Sequence, residues 1–240
     1  MPASFVALFV AVPVLALMVL GLPRADQRRA DQRRALSVLR LPVFPRGTWI
    51  YGVALALAWS TTGMTIAVVP LELAASGLGG WTGLVIFLSI FIGFLCQPLA
   101  RRMGNAGALA LGVVLVPLGF GVLLVGVWGG GLIWVLAGTC ITSAASYGFT
   151  YLAALAEVSR SAPGDRARAT AGLFVYAYVG FSLPVMASGA LADVIGLQRA
   201  MAGFAAVLAG GTAVAVLLWL GRGGVRRISG LPWRRPLPWR

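Results

Sequence analysis

The chain has 240 residues, of which 60% are hydrophobic and 10% charged, and its mean hydropathy is +0.93. Soluble domains carry about 25% charged residues, so this composition predicts a polytopic membrane protein. All nineteen basic residues are Arg, against six acidic ones, and His is absent. The lack of His and Lys excludes rhomboid-type and zinc-type intramembrane hydrolases and excludes retinal proteins that need a Lys Schiff base.

Seven apolar segments along the chain have about the 20 residues that a helix needs to cross a bilayer. They are the predicted spans A (3–22), B (48–70), C (80–100), D (107–127), E (131–157), F (169–192) and G (200–220). The predicted fold class is therefore an all-α polytopic membrane protein with seven transmembrane helices. Span A, within residues 1–22, has a second interpretation as a signal peptide. Against this, its first basic residue is Arg24, after the apolar run, and no clear small-x-small cleavage site follows.

Two polar segments flank the predicted six-helix bundle of residues 48–221: an Arg-rich linker, 23–47, and an Arg/Pro/Trp tail, 222–240. The linker repeats Ala-Asp-Gln-Arg-Arg at 25–29 and 30–34. Two interpretations stay open for it: a solvated charged linker, or an amphipathic segment lying on anionic lipid through Leu36, Leu39 and Leu41.

The Arg residues define an orientation. Eighteen lie in the linker, in 101–106, in 158–168 and in the tail, which are alternate connections, and the other connections contain only Arg199. The positive-inside rule then places the N-terminus outside and the C-terminus in the cytoplasm of a multi-pass plasma membrane protein. Membrane orientation explains the basic charge, so the expected partner is the lipid bilayer and no nucleic acid is expected.

Polar side chains are concentrated in spans B, C, E and F, whereas A, D and G are almost purely apolar. On span E, residues 139, 143, 146, 147 and 150 share one helical face. This face is either interhelical hydrogen-bonding glue or a cavity wall, and the aromatic side chains either stack on a solute or simply pack. The predicted substrate-cavity residues are Trp59, Thr62, Ser89, Thr139, Ser143, Ser146, Tyr147, Tyr151 and Tyr176.

No carboxylate falls at the centre of a predicted span, where it would be a candidate proton relay. Glu157 lies at a cytoplasmic end, where it is expected to pair with Arg101, Arg102 or Arg160, with a relay role as the alternative. Arg101, Arg102 and Glu157 form the predicted cytoplasmic gate. Cys96 and Cys140 are interpreted as small apolar residues, and no catalytic residue, metal site or cofactor is predicted.

Three stretches carry a resemblance to a known family. Residues 63–79 look like a seventh helix with its outer hairpin, and 157–199, which ends in Gly-Ala-Leu-Ala-Asp-Val-Ile-Gly at 189–196, looks like a tenth-to-eleventh helix region. Gln-Pro-Leu-Ala-Arg-Arg-Met-Gly-Asn at 97–105 looks like a degraded signature loop, with Arg101 where an acid is usual. Together they resemble the sixth to twelfth helices of a major facilitator superfamily transporter.

This resemblance implies that spans A, D and G are peripheral and that six of the seven helices form the C-terminal half-bundle. It also implies that a missing N-terminal half, or a second subunit, is the partner. The expected function is the C-terminal portion of a proton-linked secondary active transporter that moves a small organic solute, as in drug-like efflux, by alternating access. The alternative is a non-transporting integral membrane scaffold or regulatory subunit. An enzyme is disfavoured, because no His or Lys could activate the Ser, Thr or Cys residues.

Overall fold

The computed structural model describes residues 13–14, 17–18 and 41–221. The first four of these residues are helical and belong to a unit formed by residues 1–40, whereas Leu41 begins a second unit. The remainder of span A, the linker up to residue 40 and the tail 222–240 lie outside the described residues, so the predictions made for them stay predictions.

The regular secondary structure within residues 41–221 is all helical, with no strand among them. Five helical stretches in the described residues are long and apolar enough to cross a membrane: Trp49–Ala75, Gly79–Gly129, Leu132–Ser161, Arg166–Ile195 and Leu197–Gly221. The all-helical fold is thus confirmed, and the count of seven spans stays a prediction. The elements are α1 (Trp49–Ala67), α2 (Val69–Ala75), a 3₁₀ turn (Gly79–Trp81), α3 (Thr82–Gly129), α4 (Leu132–Ser143), a π-helix (Ala144–Thr150), α5 (Tyr151–Ser161), α6 (Arg166–Ile195) and α7 (Leu197–Gly221).

Predicted spans C and D both fall within α3, which is broken at Gly104. Gly104 has φ 74° and ψ 159°, a conformation that glycine adopts readily and other residues rarely. Gly93 and Gly119, on either side of the break, both pack against neighbouring residues of α4, at Ser143 and Thr142. In a straight helix those two glycines would be about 39 Å apart. The α3 element therefore folds back on itself as a hairpin within the Arg-rich connection predicted at 101–106.

Glycine contacts hold the helices together at close range. A Cβ on Gly63 of α1 would stand 2.5 Å from the carbonyl oxygen of Phe181 in α6, and Gly180 of α6 lies directly against the backbone of Ala56. Helices in lipid gain little from hydrophobic contact with each other, so close van der Waals packing at small residues has to stabilise their association. The α1–α6 pair is joined in this way along its middle.

The described end of the linker is attached to α6. The Val43 N–H donates to the Arg168 carbonyl oxygen at 3.1 Å, and Arg168 Nε donates to the Leu41 carbonyl oxygen at 3.0 Å. Gly172, one turn further along α6, lies against the Val43 carbonyl. Residues 41–47 belong to the predicted linker, and within this stretch Leu41, Val43 and Phe44 contact the first three turns of α6.

Gly63→Ala tests the close packing of α1 on α6. The new methyl group would overlap a backbone carbonyl that cannot rotate away, so we expect destabilisation of about 1–3 kcal/mol. The measurement is the thermal unfolding midpoint of the detergent-solubilised protein. Gly121→Ala is the matched control, because a Cβ there meets nothing within 4 Å. Equal midpoints for the two variants would contradict the assignment.

Candidate functional site

An aromatic cluster forms around Trp59 in the middle of α1. The ring centroid of Trp59 lies 5.3 Å from that of Tyr147, 6.4 Å from Tyr151, 6.0 Å from Phe174 and 5.8 Å from Tyr178. The rings are tilted or edge-on to the indole, which are favourable arrangements for aromatic pairs. The cluster joins α1, the π-helix, α5 and α6, and we call these five residues the Trp59 cluster.

One polar group in the Trp59 cluster is unsatisfied. Trp59 is 9% exposed, and its buried indole N–H finds no acceptor within the described part of the chain. A buried donor without an acceptor costs about 1–3 kcal/mol, so native proteins rarely keep one without a reason. Thr62, one turn from Trp59, lies near the Tyr147 hydroxyl. The cluster therefore offers aromatic faces together with polar groups for hydrogen bonding.

The Trp59 cluster reaches the surface of the described unit through Tyr178. This side chain is 59% exposed, whereas Tyr147 and Tyr151 are half-buried and Trp59 is buried. Exposure therefore increases from α1 outward to α6. A planar solute arriving from the Tyr178 side would meet aromatic rings first and the indole N–H last.

The π-helix Ala144–Thr150 positions two of the predicted site residues, Ser146 and Tyr147. Such segments hold one more residue per turn than an α-helix and occur frequently at functional sites. Span E was predicted as one continuous α-helix, and the structure corrects this to α4, the π-helix and α5. The extra residue changes the phase of the helix, so the residues grouped on one face by α-helical spacing do not all point in one direction.

Two predicted cavity residues make bonds between helices. Ser143 Oγ accepts from the Gly93 N–H at 2.8 Å, and Ser146 Oγ donates to the Ala58 carbonyl oxygen at 2.7 Å. Both serines are at most 1% exposed. Their geometry matches the interhelical glue that was the alternative interpretation of this face.

The remaining predicted cavity residues, Ser89, Thr139 and Tyr176, lie in different environments. Ser89 is buried and donates to the Ile86 carbonyl of its own helix at 2.7 Å. Thr139 is fully buried, and its hydroxyl has no partner among the described residues. Tyr176 lies apart from the Trp59 cluster: its ring packs edge-on against Phe44 at 5.7 Å and covers Gly52. The structure thus brings together Trp59, Thr62, Tyr147 and Tyr151 from the predicted set.

Phe174 and Tyr178 belong to the cluster but were absent from the predicted site. The predicted site was chosen from the polar residues of each span. Phe174 was omitted because its side chain is apolar, and nothing in that choice distinguished Tyr178 from Tyr176. A signal was nevertheless present, because Phe174 and Tyr178 are spaced i, i+4 on α6 and therefore share one helical face. Tyr176 lies between them in sequence and points elsewhere.

The three residues of the predicted cytoplasmic gate do not form one cluster. Glu157 pairs with Arg160 at 2.9 Å, one of the three partners expected for it. Arg101 and Arg102 are exposed beside the break at Gly104, and neither forms an ion pair within residues 41–221. Arg101 instead lines a cleft of about 200 Å³ with Asn105 and Ser159. The described residues contain no group of three or more His, Cys, Asp or Glu side chains that could hold a metal ion.

Comparisons of the chain with known protein families, with curated proteins and with solved structures found no match.

Ser146→Ala tests the structural role of the hydroxyl stripe. It removes one hydrogen bond between α1 and the π-helix, and such bonds in membrane proteins contribute about 0.6 kcal/mol on average. We expect a small, measurable loss in denaturant unfolding of the detergent-solubilised protein. Ser89→Ala is the control, because that hydroxyl bonds only within its own helix. If Ser89→Ala destabilises the protein more than Ser146→Ala does, the glue assignment is wrong.

Proposed function

We propose that the chain is an integral membrane protein and the C-terminal portion of a secondary active transporter of the major facilitator type. Its substrate class would be a small, amphipathic organic solute, as in drug-like efflux. The observation that carries this proposal is the Trp59 cluster, in which a buried and unpartnered indole N–H lies behind aromatic rings that reach an exposed edge.

Three features support a solute-binding wall at this position. The cluster lies on helices long and apolar enough to cross a membrane, away from their charged ends. Its aromatic groups favour flat, apolar molecules, and its hydroxyl and N–H groups would orient them. The five side chains of the cluster are one Trp, three Tyr and one Phe, which favours a solute that binds without a counter-charge.

Alternating access needs a second wall facing the Trp59 cluster. Under this proposal, further helices or a second subunit supply that wall, and the exposed Tyr178 face of α6 lies toward it. The chain would then be a seven-span plasma membrane protein with the N-terminus outside and the C-terminus in the cytoplasm.

A non-transporting scaffold or regulatory subunit is the second candidate. The observation favouring it is that Ser143 and Ser146 are both engaged in bonds between helices. Such bonds stabilise a fixed bundle and leave fewer groups for a solute. The two candidates differ in whether a solute binds at Trp59 and then crosses the membrane.

Solute binding is tested with rhodamine 6G, a planar amphipathic dye, and the protein in phospholipid nanodiscs. We expect Trp59→Ala and Tyr147→Ala to raise the Kd in fluorescence anisotropy about three- to tenfold, the equivalent of one lost aromatic contact. Trp128→Ala is the matched control, because that side chain is 47% exposed and lies at the far end of α3. Unchanged binding in the Trp59 variant would rule out the cavity.

Transport is tested separately in proteoliposomes with an imposed pH gradient. Dye flux that depends on the gradient and on Trp59 would support the transporter. Dye binding without flux would instead favour the scaffold or regulatory subunit.

The orientation is tested by cysteine labelling in intact cells. In a variant with Cys96 and Cys140 replaced by Ala, Ser76→Cys lies in the exposed connection after α2, and Gly164→Cys lies in the exposed connection before α6. A membrane-impermeant maleimide should label position 76 in intact cells and position 164 only after permeabilisation. The reverse pattern would invert the proposed topology.

A further inference from the structure

A cavity separate from the Trp59 cluster lies between α1, α6 and α7. Its volume is about 420 Å³, within the range of about 300–1,000 Å³ that is usual for ligand sites. Gly203 leaves space for it, since a Cβ there would meet only Leu191 at 3.8 Å, and large apolar side chains such as Leu183 and Phe204 form its walls. None of the five residues of the Trp59 cluster lines it.

Uncommitted polar atoms lie in this otherwise apolar cavity. Ser188 lines it, is only 5% exposed, and makes no hydrogen bond with any described residue. Pro184 also lines the cavity and has no N–H, so the Gly180 carbonyl four residues earlier lacks its helical donor. A hydroxyl donor and a carbonyl acceptor are therefore available to a ligand that is otherwise hydrocarbon.

The cavity has the length of one bilayer leaflet. It extends along α6 from Gly180 to Leu191, which corresponds to about 16 Å at 1.5 Å per residue. One leaflet contributes about 15 Å, half of the hydrocarbon core. Ser188 lies about 10 Å before the Ile195 end of α6, toward the end of the cavity nearer to the helix terminus.

Charged side chains lie just beyond the end of the cavity that is lined by Leu191 and Ala200. Arg199 immediately precedes the lining residue Ala200, and Asp193 follows the lining residue Leu191 by two positions. Both are exposed, and neither forms an ion pair with a described residue. A guanidinium in this position is well suited to a phosphate group, which it can bind through two parallel hydrogen bonds.

We propose that this cavity is a binding site for one membrane phospholipid. One acyl chain lies between α1, α6 and α7 alongside Gly180 and Gly203. The Ser188 hydroxyl donates to an ester carbonyl, and Arg199 binds the phosphate. The surroundings support a lipid as the occupant, because α6 and α7 are the least buried of the membrane-length helices, at 28% of their most apolar windows.

The proposal is tested by photo-crosslinking of the full-length protein in nanodiscs that contain a phosphatidylethanolamine with a diazirine in one acyl chain. We expect mass spectrometry to find the label in 180–191 and 200–208. Gly203→Leu should strongly reduce this labelling, since a Cβ at Gly203 makes only ordinary contact at 3.8 Å while the longer side chain fills the cavity. Gly121→Leu is the matched control, because it adds the same side chain where nothing lies within 4 Å.

A second arm separates a phospholipid from a neutral diacylglycerol as the source of the chain. Arg199→Gln should lower phosphatidylethanolamine labelling about tenfold, because it removes a charge-assisted hydrogen bond, and should leave labelling by a diazirine diacylglycerol, which has no phosphate, unchanged. Equal labelling by both probes, unaffected by Arg199→Gln, would overturn phospholipid binding. Label spread evenly over other lipid-facing positions such as 114–125 would overturn the site itself. Size-exclusion profiles identical to that of the unsubstituted protein show that each variant is folded.

Discussion

The bundle depends on the close approach of helix backbones. In lipid, the hydrophobic driving force for association between helices is small. An apolar side chain such as leucine is accommodated by lipid as well as by a neighbouring helix. Helix contacts are therefore stabilised by dense packing and by a few hydrogen bonds. Gly180 lies against Ala56, and Gly93 brings its own N–H to within 2.8 Å of Ser143 Oγ. A larger residue at either glycine would separate the helices and remove the polar contacts that follow from close packing.

The same constraint positions the Trp59 cluster. Close packing of α1 on α6 brings Trp59 against Phe174 and Tyr178, and the Ser146 bond to Ala58 holds the π-helix beside them. The serines and glycines therefore hold the helices together, and under the proposed function the adjacent aromatic residues contact the solute. The polar stripe would then combine the two interpretations that the sequence left open, interhelical glue and cavity wall.

The approximate helix positions could be predicted because hydropathy and bilayer thickness constrain them directly. Each predicted span from B to G overlaps a helix of the structure, although span B crosses the turn at Val68 and span E begins one residue before its helix. The break at Gly104 could also be placed, since Arg101 and Arg102 lie just before it. The π-helix could not, because one additional residue per turn leaves no mark on an apolar pattern. Tyr176 and Tyr178 show a second limit of prediction from sequence. Both are aromatic and only two residues apart, but they point in different directions from α6, and only Tyr178 contacts Trp59. Counting polar residues in a span does not reveal this direction.

The π-helix has a consequence for how this protein would respond to change in its sequence. One residue corresponds to about 100° of rotation in an α-helix, so the inserted residue in 144–150 acts as a phase shift between two otherwise regular segments. Ser143 before it can keep its bond to α3 while Tyr151 after it faces Trp59. Loss of a single residue from this segment would leave hydropathy and length almost unchanged, yet it would turn the whole of α5 away from the aromatic residues that it now contacts.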